Sequence, residues 1–143
     1  IRDSEYTYNM RKLVEAFWPG GLSMVVHQAP SLPWNLGDTR GTVMLRMPNQ
    51  PIALELLERT GPMAVSSANI SGQPPATNVQ MAEDQLGADV TTYIAGGEAH
   101  HGVASTIVDL SSGRPRILRE GAATTERVAE VLGMSSAELR GDV

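Results

Sequence analysis

Two hydrophobic periods alternate along this chain of 143 residues, and glycine–proline breaks separate them. Spacings of three and four mark amphipathic helices, and short alternating or continuous apolar runs mark strands. Tyr6, Met10, Leu13, Val14 and Phe17 recur at helical spacing over residues 4–17, and Pro19-Gly20-Gly21 stops that helix. Residues 22–28 read as a strand, 29–41 as a loop and 42–47 as a second strand closed by Pro48. Pro51 suits the first turn of a helix whose buried stripe is expected at Ile52, Ala53, Leu56 and Leu57, and Gly61-Pro62 ends it. A short apolar strand is expected over 63–67. A helix should follow from Thr77 or Asn78 to Gly87. Residues 91–95 and 105–110 read as strands, with 116–119 as a hairpin partner across the Ser111-Ser112-Gly113 turn. Residues 124–132 form a last helix with Val128, Val131 and Leu132 inward. Beyond Gly133 the sequence reads as a frayed polar tail.

The resulting order, α-β-β-α-β-α-β-β-β-α, predicts a layered α/β fold: a twisted open mixed sheet with flanking helices. The expected division is one domain over 1–133 and a tail over 134–143. A chain of this length buries roughly two-thirds of its unfolded surface, enough for a core without staples. Aromatic residues are only 4% of the chain, so that core must be aliphatic, with help from seven methionines. There is no cysteine, which excludes disulfides, thiolate zinc sites and a cysteine nucleophile. No run reaches the length of a membrane span, and a cytoplasmic location is expected. The net charge of −5 argues against a protein that coats nucleic acid by bulk charge.

Phosphate-loop, dinucleotide-fold and nucleophile-elbow patterns are all missing, so any nucleotide must be held by another device. His27, His100 and His101 lack ligand spacing, and no metal site is expected from them. Three segments carry polar groups where strands begin or end. Ser66-Ser67-Ala68-Asn69-Ile70-Ser71-Gly72 sets hydroxyls and an amide after an apolar run, where ligands bind in open α/β sheets. The same residues could equally form a plain turn that satisfies its own backbone. Phe17-Trp18-Pro19-Gly20-Gly21-Leu22-Ser23 places a hydroxyl at a strand start, or simply stops a helix. In the hairpin, Ser105 and Arg119 fall near one sheet end, where Arg119 could meet an anionic ligand or merely form a surface ion pair with Glu120 or another carboxylate.

Taken together and in order, these segments resemble the YrdC-like family, the threonylcarbamoyl-AMP synthases. The resemblance rests on Pro19-Gly20-x-Leu22-Ser23, Arg46-x-Pro48, Ser66-Ser67-Ala68-Asn69-x-Ser71-Gly72-x-Pro74, Ser105-Thr106-x-Val108-Asp109 and Ile117-Leu118-Arg119-x-Gly121. It spans about residues 13–132. It implies a YrdC-like fold with a deep concave site. The implied reaction turns L-threonine, bicarbonate and ATP, with Mg²⁺ accompanying the ATP, into threonylcarbamoyl-AMP and pyrophosphate. The product would feed modification of the adenosine beside certain tRNA anticodons, through downstream threonylcarbamoyl-transferase proteins and with a tRNA contact conceivable. Residue by residue, the resemblance assigns Ser23, Asn69, Thr77 and Arg119 to ATP, and Ser67, Ser105 and His27 to L-threonine. It assigns no catalytic side chain. All five of Ser23, Ser67, Asn69, Ser105 and Arg119 are expected to face one cavity.

The chain departs from the family pattern where a Lys-x-Arg motif and a threonine-binding segment would precede the first helix. Its only lysine, Lys12, is followed by Leu13. Serine stands at 23 where threonine is common, and Glu120 where proline is common. The chain therefore reads as incomplete at its N-terminus, with the full-length protein active and residues 1–143 alone inactive, poorly soluble or self-associating. The alternative functions are an RNA-binding module and a carbamoyl-transfer module of the same domain type, without synthase activity.

Overall fold

The computed structural model describes residues 5–99 and 104–142. His100 and His101, considered above as metal ligands, lie outside the described residues. The chain divides into two compact units: Ile1–Gln50 with Val103–Val143, and Pro51–Gly102.

The first unit is built on a four-stranded mixed sheet of order β2-β1-β3-β4, from β1 (Leu22–His27), β2 (Thr42–Leu45), β3 (Thr106–Asp109) and β4 (Arg116–Arg119). β1 runs antiparallel to β2 and parallel to β3, and β3 runs antiparallel to β4. Strand alternation sends Leu22, Met24 and Val26 to one face. There they meet Leu13 of α1 (Glu5–Phe17), Val108, and Val128, Ala129 and Leu132 of α4 (Thr125–Leu132). The predicted helix and strand positions of this unit agree with these elements to within two residues.

The expectation of a frayed tail past Gly133 is overturned. Residues Ser136–Arg140 form a helix, α5, capped reciprocally by Ser135 and Glu138. Its Leu139 is completely buried in the same core. Burying one leucine side chain stabilises a fold by about 1.5–3 kcal/mol, enough to hold so short a helix down.

The second unit holds α2 (Pro51–Thr60), α3 (Val79–Leu86) and a 3-10 turn at Gly87–Asp89. The start of α3 is set by Asn78, not Thr77: its side-chain oxygen accepts from the Met81 amide at 2.9 Å. Two expected strands are corrected. Residues 63–67 and 91–95 join no ladder in the structure, and Val65 is 87% exposed. Apolar, strand-prone composition does not make a strand without a partner to take its backbone groups. The stripe expected on α2 is also corrected: none of its residues is fully buried, and Ile52 is exposed. No helix among the described residues is long and apolar enough to cross a membrane.

Candidate functional site

Ser23, Ser105 and Arg119 meet in the first unit. Ser23 and Ser105 are 82 positions apart in sequence, yet their hydroxyl oxygens are 3.0 Å apart and hydrogen-bonded. The parallel pairing of β1 with β3 causes this, since Leu22 lies opposite Thr106 and Ser23 opposite Ile107. Ser23 points away from the helix-covered face and is only 2% exposed.

Arg119 completes the cluster. Its Nε and Nη2 donate to the Ser105 carbonyl oxygen at 3.0 and 2.8 Å, and Nη2 reaches Ser105 Oγ at 3.2 Å. The hairpin is bulged here. Ile107 faces Arg119 and Val108 faces Ile117, so Leu118 is the extra residue on β4. A bulge re-aims the side chain beside it. Arg119 remains exposed, and among the described residues its Nη1 makes no hydrogen bond. One edge of the guanidinium is thus fixed to backbone while the other is available to an anion. The alternative of an Arg119–Glu120 surface pair is not what forms. Glu120 instead accepts from the Thr125 amide at 3.0 Å and from the Thr125 hydroxyl, with Arg140 at 3.7 Å. The Thr125 hydrogen bonds, hydroxyl first and then amide, hold the Glu120 carboxyl below its ordinary pKa, and the Arg140 charge adds to the effect.

The turn behind Arg119 is pinned by Thr106. Its hydroxyl, on a completely buried residue, accepts from the Gly121 amide at 2.9 Å and the Ala123 amide at 3.0 Å and donates to the Ala123 carbonyl at 2.5 Å. Gly121 has to be glycine, because a Cβ there would meet the Ser105 carbonyl carbon at 2.7 Å. Arg46 ties the neighbouring turn, donating Nε to the Gly20 carbonyl at 2.9 Å. Thr106 and Arg46 were visible in the motifs, but nothing local in the sequence told what they hold.

His27 is exposed at the far end of β1, opposite Thr42. It lies four residues from Ser23, about 13 Å along an extended strand, so it does not join the cluster.

Ser67, Asn69 and Thr77 belong to the second unit. Ser67 is exposed, and its carbonyl accepts from the Asn69 amide at 3.1 Å. A turn with Gly72 at φ 86° follows, closed by the Gln73 amide on the Ile70 carbonyl at 2.9 Å. Asn69 Nδ2 donates to the Ile70 and Gln73 carbonyls at 2.9 and 3.1 Å. Thr77 directs its hydroxyl to Met81 Sδ at 3.3 Å and its carbonyl to the Ala99 amide. The sequence reading missed Gln85 of α3. It bonds the Ile70 amide at 3.0 Å and the Pro74 carbonyl at 3.1 Å, and no sequence signal marks it. Among the described residues, no group of three or more His, Cys, Asp or Glu could hold a metal ion.

The Sua5–YciO–YrdC family model, described as "Telomere recombination", matches residues 2–121. The chain is 58% identical over 131 residues to a Mycobacterium tuberculosis H37Rv protein named "Putative threonylcarbamoyl-AMP synthase", covering 92% of this chain and 60% of that protein. It is 37% identical over 122 residues to the threonylcarbamoyl-AMP synthase of Pyrococcus abyssi, covering 85% of this chain and 36% of the relative. A crystal structure of P. abyssi Sua5 complexed with L-threonine superposes with a TM-score of 0.80 at 35% identity, over 88% of this chain and 37% of that one. The chain thus spans about three-fifths of the mycobacterial relative and just over a third of the archaeal one.

Proposed function

The chain belongs to the Sua5–YciO–YrdC family, and from that premise we propose that it serves L-threonylcarbamoyl-AMP synthesis. The reaction takes L-threonine, bicarbonate and ATP. The threonine nitrogen bonds to the bicarbonate carbon with loss of water, and an oxygen of the resulting carbamate then bonds to the α-phosphorus as pyrophosphate leaves. The adenylate then supplies threonylcarbamoyl groups for the adenosine beside the tRNA anticodon, through partner transferases in the cytoplasm.

The observation that carries this reading is the Ser23–Ser105–Arg119 cluster, in which three segments far apart in sequence meet through hydrogen bonds. Two anionic reactants repel until fixed cations offset their charge. The free edge of Arg119 is suited to a phosphate oxygen, and its anchored edge keeps the guanidinium from swinging away. In this reading Ser23, Asn69, Thr77 and Arg119 are nucleotide contacts and Ser67 and Ser105 are threonine contacts, and His27, at the far end of β1, is not among them. The described residues do not fit a dedicated metal site, so Mg²⁺ enters as part of the Mg–ATP substrate and no step is routed through it.

The test is pyrophosphate release by the full-length protein that requires ATP, L-threonine and bicarbonate together, with the adenylate identified by mass. Release that ignores threonine would sink the reading. Asn69→Ala should weaken ATP binding more than threonine binding, and unchanged ATP affinity would overturn the nucleotide assignment of Asn69.

A further inference from the structure

The loop that carries Asn69 is held from outside itself. Half-buried Gln85 uses both ends of its amide, Oε1 accepting from the Ile70 N–H at 3.0 Å and Nε2 donating to the Pro74 carbonyl at 3.1 Å. Inside that clamp, the two N–H groups of Asn69 are consumed by the Ile70 and Gln73 carbonyls. This fixes which way the amide lies, because the reversed amide would set its oxygen against two carbonyl oxygens. Asn69 Oδ1 is left buried, with no hydrogen-bond partner among the described residues. A buried acceptor without a donor costs free energy and is rare in native proteins.

We propose that Gln85 is a positioning residue, locking the loop so that Asn69 Oδ1 accepts from an N–H or O–H donor on the nucleoside part of the ligand. A phosphate oxygen cannot fill this role, because an ionised phosphate brings acceptors and no proton. The donor is a ribose hydroxyl or the exocyclic amine of the base. The proposal rests on the reading of Asn69 as a nucleotide contact. It adds how that contact is held and which end of the nucleotide it reads.

The test uses the full-length protein and Gln85→Met, which keeps the length of the side chain and removes both hydrogen bonds. Hydrogen exchange at the Ile70 amide should speed up in Gln85→Met. Unchanged protection would overturn the clamp without any ligand being present. ATP affinity should fall about tenfold, while tripolyphosphate, which has no donor, should bind wild type and variant alike. In an Asn69→Ala background, Gln85→Met should cost no further ATP affinity, a result that a merely structural role would not give. Equal losses for ATP and tripolyphosphate, or additive losses with Asn69→Ala, would overturn the proposal and leave the nucleotide site standing. Wild type that binds no ATP would overturn the reading beneath it and the proposal with it. Inosine triphosphate, 2′-deoxy-ATP and 3′-deoxy-ATP separate the donors: the analogue whose deficit disappears in Asn69→Ala identifies the group. Gln85→Glu, which retains the acceptor for Ile70, should fall between wild type and Gln85→Met.

Discussion

Arg119 spends two of its N–H groups on a single backbone oxygen, the carbonyl of Ser105, fourteen residues earlier in the chain. This bifurcated anchor orients a side chain that is otherwise exposed, and it requires the fixed fork of a guanidinium. A lysine at the same place would keep the charge and lose the anchor. Arg119→Lys should therefore lower ATP affinity at least tenfold, with little change in thermal stability. Calorimetric titration of both proteins checks this, and equal affinities would show that charge alone matters.

Thr106 supports that anchor from the buried side. Its hydroxyl is the acceptor for the Gly121 and Ala123 amides. Thr106→Val fits the space but strands both donors, and should destabilise the fold by about 1–3 kcal/mol in urea unfolding. Thr106→Ser, which keeps the hydroxyl, should recover most of the loss. If valine were as stable as threonine, the hub would be incidental.

Acid should loosen the layer formed by α4 and α5. Glu120 and Glu138 both have carboxyls held below the ordinary 4.5. The causes are hydrogen bonds from Thr125 and, for Glu138, from the Ser135 amide and then its hydroxyl. A folded-state pKa below the unfolded value contributes stability above the unfolded value, and that stability is lost as pH falls through the folded one. The melting temperature should hold steady above pH 4.5 and drop below it. Glu120→Gln should shrink that drop; an identical acid profile in this variant would remove Glu120 from the account.

Leu139→Ala tests whether the C-terminal helix is part of the fold. A fully buried leucine lost from a core costs about 2–5 kcal/mol, and Leu139 is fully buried. A change within experimental error would return these residues to the status of a tail.

Local chemistry was enough to locate much of this molecule. Helical spacing outlined α1, and Thr124 caps α4 as its side chain suggests, accepting from the Arg127 amide. The Ser135-x-x-Glu138 capping box was also present in the sequence, but a five-residue helix offers too few turns for a hydrophobic period to stand out. The apolar runs at 63–67 and 91–95 mislead in the opposite sense. Their composition suits a strand, yet whether a strand forms depends on a partner elsewhere in the chain.

The site divides along the same line. Residue identity alone puts serines at 23 and 105 and an arginine at 119 beside predicted strand ends, and an asparagine in a glycine–proline turn. Their partners were set by the folded backbone. Ser23 reaches Ser105 through a parallel register across more than eighty residues, a bulge turns Arg119 onto the Ser105 carbonyl, and Gln85 reaches the Asn69 loop from a helix that no motif marks. Side-chain identity is local information, whereas a hydrogen bond needs two groups within about 3 Å, and only the folded backbone sets that distance.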